Sequence, residues 1–88
     1  MGLLDTLEKK IPEKEHNKFE YGMLLAFAEQ NKIRTVFGLK RKLDEEIIKI
    51  AKFLAENRTG SSMNRVRREY ARRGAVLQKM KDLVVKYL

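Results

Sequence analysis

Five cations recur along the last third of the chain at steps of three, four and seven: Arg65, Arg68, Arg72, Lys79 and Lys86. On a helix advancing about 100° per residue they share one arc about 60° wide. Arg67 and Arg73 flank the apolar side of the same segment. No acid falls within the cationic arc, and like charges one turn apart repel by about 0.2–0.5 kcal/mol per pair. A row left unrelieved in this way is expected to meet an external anion.

The residue types sharpen that chemistry. Five of the nine residues from 65 to 73 are Arg, and the planar guanidinium fork matches phosphate and stacks on bases. The expected partner is nucleic acid, DNA or RNA, held mainly through phosphates and by release of counterions. Sequence preference should be weak, because phosphate contacts position a protein without specifying a base. Asn64 is the one amide near the start of this segment that could read a base. From Arg65 to Lys86 the stripe spans about 31 Å, close to one turn of duplex. Lys40, Arg41 and Lys42 form a secondary basic cluster, largely neutralised by the adjacent Asp44, Glu45 and Glu46.

No other constellation carries chemistry. His16 is the lone histidine and there is no cysteine, so no metal site, cofactor or thiolate chemistry is expected. His16 should lie beside Phe19 as a partly exposed helix residue. Glu13, Glu15 and Glu20 read as helix-surface acids, not as a catalytic pair, and no Ser or Thr sits in an activating motif. The expectation is a non-enzymatic protein without a small-molecule substrate. Gly2 with Thr6 fits the short N-myristoylation pattern, and Asn57-Arg58-Thr59 fits a glycosylation sequon. Both patterns are short enough to arise by chance and lack a supporting context.

The elements that must hold the stripe are helical throughout. The expected fold is all-α: a small helical bundle of three main helices, with a short N-terminal helix and a long C-terminal one. A helix over 2–10 presents Leu3, Leu4 and Leu7 on one side and must dock to persist. A second, over 12–30, starts at Pro12 with Glu13 and Glu15 favouring its positive end. From Phe19 to Ala28 it is apolar nearly all round, which places it at the centre of the fold or in a subunit interface. A third covers 35–58, capped by Thr35, with Val36, Leu39, Leu43, Ile47, Ile50 and Leu54 in line; a bend near Asp44 is the alternative. Asn57-Arg58-Thr59-Gly60-Ser61-Ser62 breaks the chain, with Gly60 suited to a helix end and Ser61 or Ser62 to a cap. The last helix, 62–87, turns Met63, Val66, Tyr70, Leu77, Met80, Val84 and Tyr87 inward. Gly74 lies inside it at a cost of about 1 kcal/mol relative to Ala, tolerable where a neighbour comes close.

The composition sets the frame. Eighty-eight residues make a single domain, 1–88. The net charge of +8 divides as −2 over residues 1–30, +4 over 31–58 and +6 over 59–88, a directional surface rather than a general coat. The start MGLLDTLEKK contains acids and no long apolar core, so no secretory leader is expected. The most apolar stretch is far shorter than the roughly 20 residues that cross a bilayer. A cytoplasmic, soluble protein is expected, and binding to a membrane surface is not. The surplus of apolar positions, with Val76 and Leu83 towards the basic side, favours a homo-oligomer, a dimer first. Phe19, Met23, Phe27, Tyr70, Leu77, Met80 and Val84 are the interface candidates. A structural or adaptor protein built on those contacts is the alternative to nucleic-acid binding.

Overall fold

A computed structural model describes residues 2–57 and 64–88. The expected break and caps at Arg58, Thr59, Gly60, Ser61 and Ser62 lie outside the described residues, as does Met63. The chain forms α1 (Leu3–Lys10), α2 (Glu13–His16), α3 (Phe19–Gln30), α4 (Val36–Glu56) and α5 (Asn64–Tyr87), with no strand among the described residues. The fold is all-helical, and its C-terminal helix is the longest at 24 residues.

α4 and α5 pack side by side and antiparallel. Asp44 pairs with Lys81 at 2.7 Å, Phe53 faces Tyr70, and Arg67 reaches back to Leu54. A Cβ added at Gly74 would stand 3.3 Å from Ile50 Cγ2, so Gly74 marks a close approach within this hairpin. α4 runs without interruption through Asp44. The acid that could have bent the helix is instead held by Lys81 of α5. At the start of α4 the Thr35 hydroxyl accepts from the Gly38 N–H at 3.0 Å, the expected cap.

The core gathers where α1 and α3 meet one end of the hairpin. Leu3, Leu7, Ile11, Tyr21, Leu24, Leu39, Leu43, Met80, Leu83 and Val84 are buried together there. Leu4, expected on the packing side of α1, is 43% exposed, while Leu3 and Leu7, four positions apart, are buried together. α3 ends in a paired turn: the Ile33 N–H donates to Ala28 O at 2.9 Å and the Lys32 N–H to Glu29 O at 3.1 Å. Lys32 takes a left-handed φ of 53° to make it.

The expected single helix over 12–30 is two. Pro12 lies just ahead of α2, in extended backbone, and Lys18 is extended between α2 and α3. The break has a physical reason. In one unbroken helix Glu15 and Tyr21, six residues apart, would point about 120° apart, too far to share a narrow inward stripe. With the break both are buried. Glu15, expected on a helix surface, accepts from Lys18 Nζ at 2.5 Å and from the Tyr87 hydroxyl at 3.2 Å. His16 stacks on Tyr21 (ring centroids 4.2 Å apart) rather than on Phe19, and its Nε2 lies 2.8 Å from Ile11 O.

The segment Phe19–Ala28 is not buried on every side. Tyr21, Leu24 and Ala28 form the inward face, while Phe19 is 67% and Met23 39% exposed.

Candidate nucleic-acid interface

α5 displays its cations along one exposed side. Arg65, Arg68, Arg72, Lys79 and Lys86 are all exposed. Met80 and Val84 are buried on the inward side, and Leu83, which shares the arc of the cations by spacing, is buried as well, so the row borders the packing face. Among the described residues, no ion pair involves any of these five cations. Lys86 Nζ lies 5.3 Å from the Tyr87 ring centroid, and the Arg73 guanidinium 5.5 Å from that of Tyr70.

Arg67 departs from the row. It is half-buried, and its Nη1 donates to Leu54 O at 2.8 Å and to Asn57 O. Those carbonyls belong to the C-terminal end of α4, where helical acceptors lack internal partners and a positive charge is favoured. Arg67 therefore closes the end of α4, and its guanidinium is already spent on that task. The residue lies two steps from Arg65 and so turns towards the neighbouring helix, not along the stripe.

The secondary cluster is engaged within its own helix. Arg41 Nε lies 3.3 Å from Glu45 Oε1, and Lys42 Nζ 3.3 Å from Glu46 Oε1. Lys49 pairs with Glu46 at 3.5 Å. Lys40 is half-buried beside them. Alternating signs thus cover the outer side of α4, in contrast with α5.

The interface candidates separate into three groups. Met80 and Val84 are buried within the chain and have no surface left for a partner. Leu83 is buried too, and Val76 packs against the core, so the apolar surplus of α5 is used internally. Phe27, Tyr70 and Leu77 are half-buried, and Phe19 and Met23 remain exposed. Together with Phe53, which the sequence reading passed over, several of these residues line a groove of about 710 Å³ between α3, α4 and α5. It is lined by Met23, Phe27, Phe53 and Tyr70 among its apolar residues, and its charged lining is Lys49, Arg72 and Arg73 with Glu46 and Glu69. Phe53 and Tyr70 lie with ring centroids 4.1 Å apart, tilted by 33°. Phe53 follows Ile50 by three residues, the spacing that would have placed it on the α4 packing face.

Three titrating groups are displaced at the other end of the molecule. The Lys18 ammonium holds the Glu15 carboxyl below its ordinary value, with the Tyr87 hydroxyl adding to the effect and burial opposing it. Lys18 is raised in turn by Glu15. Burial pushes the Tyr21 hydroxyl up. Among the described residues no three His or acidic side chains converge as metal ligands, and no helix is long and apolar enough to cross a membrane. No protein-family model, curated protein or solved structure matches the chain.

Proposed function

We propose that this chain is a non-enzymatic nucleic-acid-binding protein whose contact surface is the cationic side of α5. One observation carries the reading: five exposed cations stand in line on one helix, and none makes an ion pair among the described residues, Lys86 alone acting on a carboxylate, Glu15, at longer range. On α4, Arg41, Lys42 and Lys49 are each paired with a carboxylate of the same helix. Arg65, Arg68, Arg72, Lys79 and Lys86 contact the sugar–phosphate backbone, and Arg73 assists from the flank. Arg67 contributes by holding the hairpin together.

Fluorescence titration of a labelled oligonucleotide across a range of salt concentrations tests this. If all five cations meet phosphates, the logarithm of the affinity falls against that of salt with a slope of about −4.5 for duplex DNA. Arg68→Ala should weaken binding to every sequence alike and flatten the slope by about one. An affinity indifferent to salt rules the reading out.

The exposure of Phe37 (75%), Phe19 (67%), Ile48 (64%) and Val85 (63%) favours a second reading, a helical homo-oligomer or an adaptor that docks a larger protein. Light scattering with and without nucleic acid separates the two: a stable oligomer that ignores DNA and RNA supports the second.

A further inference from the structure

We propose that the groove between α3, α4 and α5 receives unstacked bases of a single nucleic-acid strand whose phosphates lie on the α5 stripe. The inference rests on the nucleic-acid reading above and narrows it to single-stranded ligands. Arg72 is the hinge of the argument, because it belongs to the exposed row and also lines the groove. A strand following the row passes the mouth of an apolar recess, and its bases have somewhere to go.

The recess suits them in three respects. Its wall holds the Phe53–Tyr70 pair, with Phe27 in the same lining; the Tyr70 ring already meets Phe53 and Arg73, so a base stacks on Phe27 or on the outer face of Phe53. Its lining sets Lys49, Arg72 and Arg73 against Glu46 and Glu69, a mixed charge with a net positive balance for phosphate. Glu46 is already occupied by Lys42 and Lys49, while Arg72 and Arg73 make no ion pair among the described residues. The Arg73 guanidinium lies over the Tyr70 ring, which keeps a cation at the groove mouth. Finally, Gln30 on the rim offers both a donor and an acceptor to a base edge. The volume of about 710 Å³ lies within the range of ordinary ligand sites and leaves room for more than one base. A duplex keeps its bases stacked and paired, so it can use the stripe but not the groove.

The test compares three ligands by fluorescence anisotropy at one salt concentration: a single-stranded oligonucleotide, an abasic sugar–phosphate strand of the same length, and the duplex. The base-bearing strand should bind at least about fivefold more tightly than the abasic one. Tyr70→Leu removes the ring that backs Phe53, without adding charge, and should reduce that ratio towards one. Met23→Gln, at a partly exposed position on the groove wall, should do the same with no risk to the core. Arg68→Glu lies outside the groove and should weaken all three ligands together, leaving the ratio intact. Equal affinity for the abasic and base-bearing strands overturns the groove inference and leaves phosphate binding standing. Failure of all three ligands to bind overturns the stripe reading and the groove with it. Tyr70→Leu or Met23→Gln changing the oligomeric state, with the base-to-abasic ratio unmoved, assigns the groove to a second copy and also overturns it.

Discussion

Neighbouring arginines of α5 have separate tasks, and single substitutions distinguish them. Arg67 bonds two carbonyls at the end of α4, whereas Arg68 is exposed and without an ion pair among the described residues. Arg67→Ala should cost about 1–2 kcal/mol of stability, because charge-assisted bonds are lost from a half-buried site. Arg68→Ala should change stability by less than about 0.5 kcal/mol while weakening nucleic-acid binding. Urea midpoints and a titration on the same two proteins check both halves. If Arg67→Ala proves as harmless as Arg68→Ala, the guanidinium is not what closes α4. Lys32 offers a gain instead of a loss. Its φ of 53° strains any residue with a Cβ, and glycine relieves that strain at some cost in unfolded-chain entropy. Lys32→Gly should therefore stabilise the chain by about 0.5–1 kcal/mol, raising the melting temperature by about 2–8 °C. A lower melting temperature would show that the left-handed turn is not what holds α3 closed.

Between elements, the buried contact of Glu15 with Lys18 and Tyr87 ties the junction of α2 and α3 to the last residues of α5. The carboxyl is held below its ordinary value of 4.5. Its contribution is complete above that value and is lost as pH falls through the lower, folded one. Lys18 behaves in the opposite sense: its raised value makes its share complete below the ordinary 10.5 and lost as pH rises beyond it. Glu15→Gln should thus flatten the fall in stability on acidification through the carboxylate range. Parallel denaturation series of the wild type and the variant across that range would show it, and identical slopes would dismiss the contact as a source of acid sensitivity. This junction was the part of the fold least visible beforehand. The apolar line of α4 and the Thr35 cap are local signals, written in periods of three and four residues, and they were legible. The interruption at Lys18 was not, because the same residues suit a helix well and only the joint burial of Glu15 and Tyr21 breaks it. The inward side of α3 was hidden for a similar reason. A segment apolar all round has no preferred face until its neighbours choose one, and they chose Tyr21, Leu24 and Ala28, leaving Phe19 outside.

Across the whole molecule, an elongated body of 47 × 24 × 21 Å carries its charge unevenly. The stripe on α5 could be read from spacing alone, since it depends only on which residues share a helical face. The withdrawal of Arg67 and the groove beside the stripe depend on contacts between helices far apart in sequence, which spacing does not encode. The unequal charge makes salt act in opposite directions on folding and on binding. In the free chain, a net charge of +8 and an unpaired cationic row repel themselves, and screening at about 0.1 M salt shortens that repulsion to roughly 10 Å. Salt also weakens the Arg41–Glu45, Lys42–Glu46 and Lys49–Glu46 pairs, but pairs at least partly open to solvent contribute at most about 1 kcal/mol each. Relief along α5 should win, so the melting temperature of the free chain should rise from low to moderate salt. With oligonucleotide present, stabilisation follows the ratio of ligand concentration to Kd, and salt raises Kd steeply. The melting temperature of the complex should therefore start above that of the free chain and converge on it as salt increases. A free chain that melts earlier in salt would mean that attraction between its own charges outweighs their repulsion, and the cations of α5 would then be matched from within.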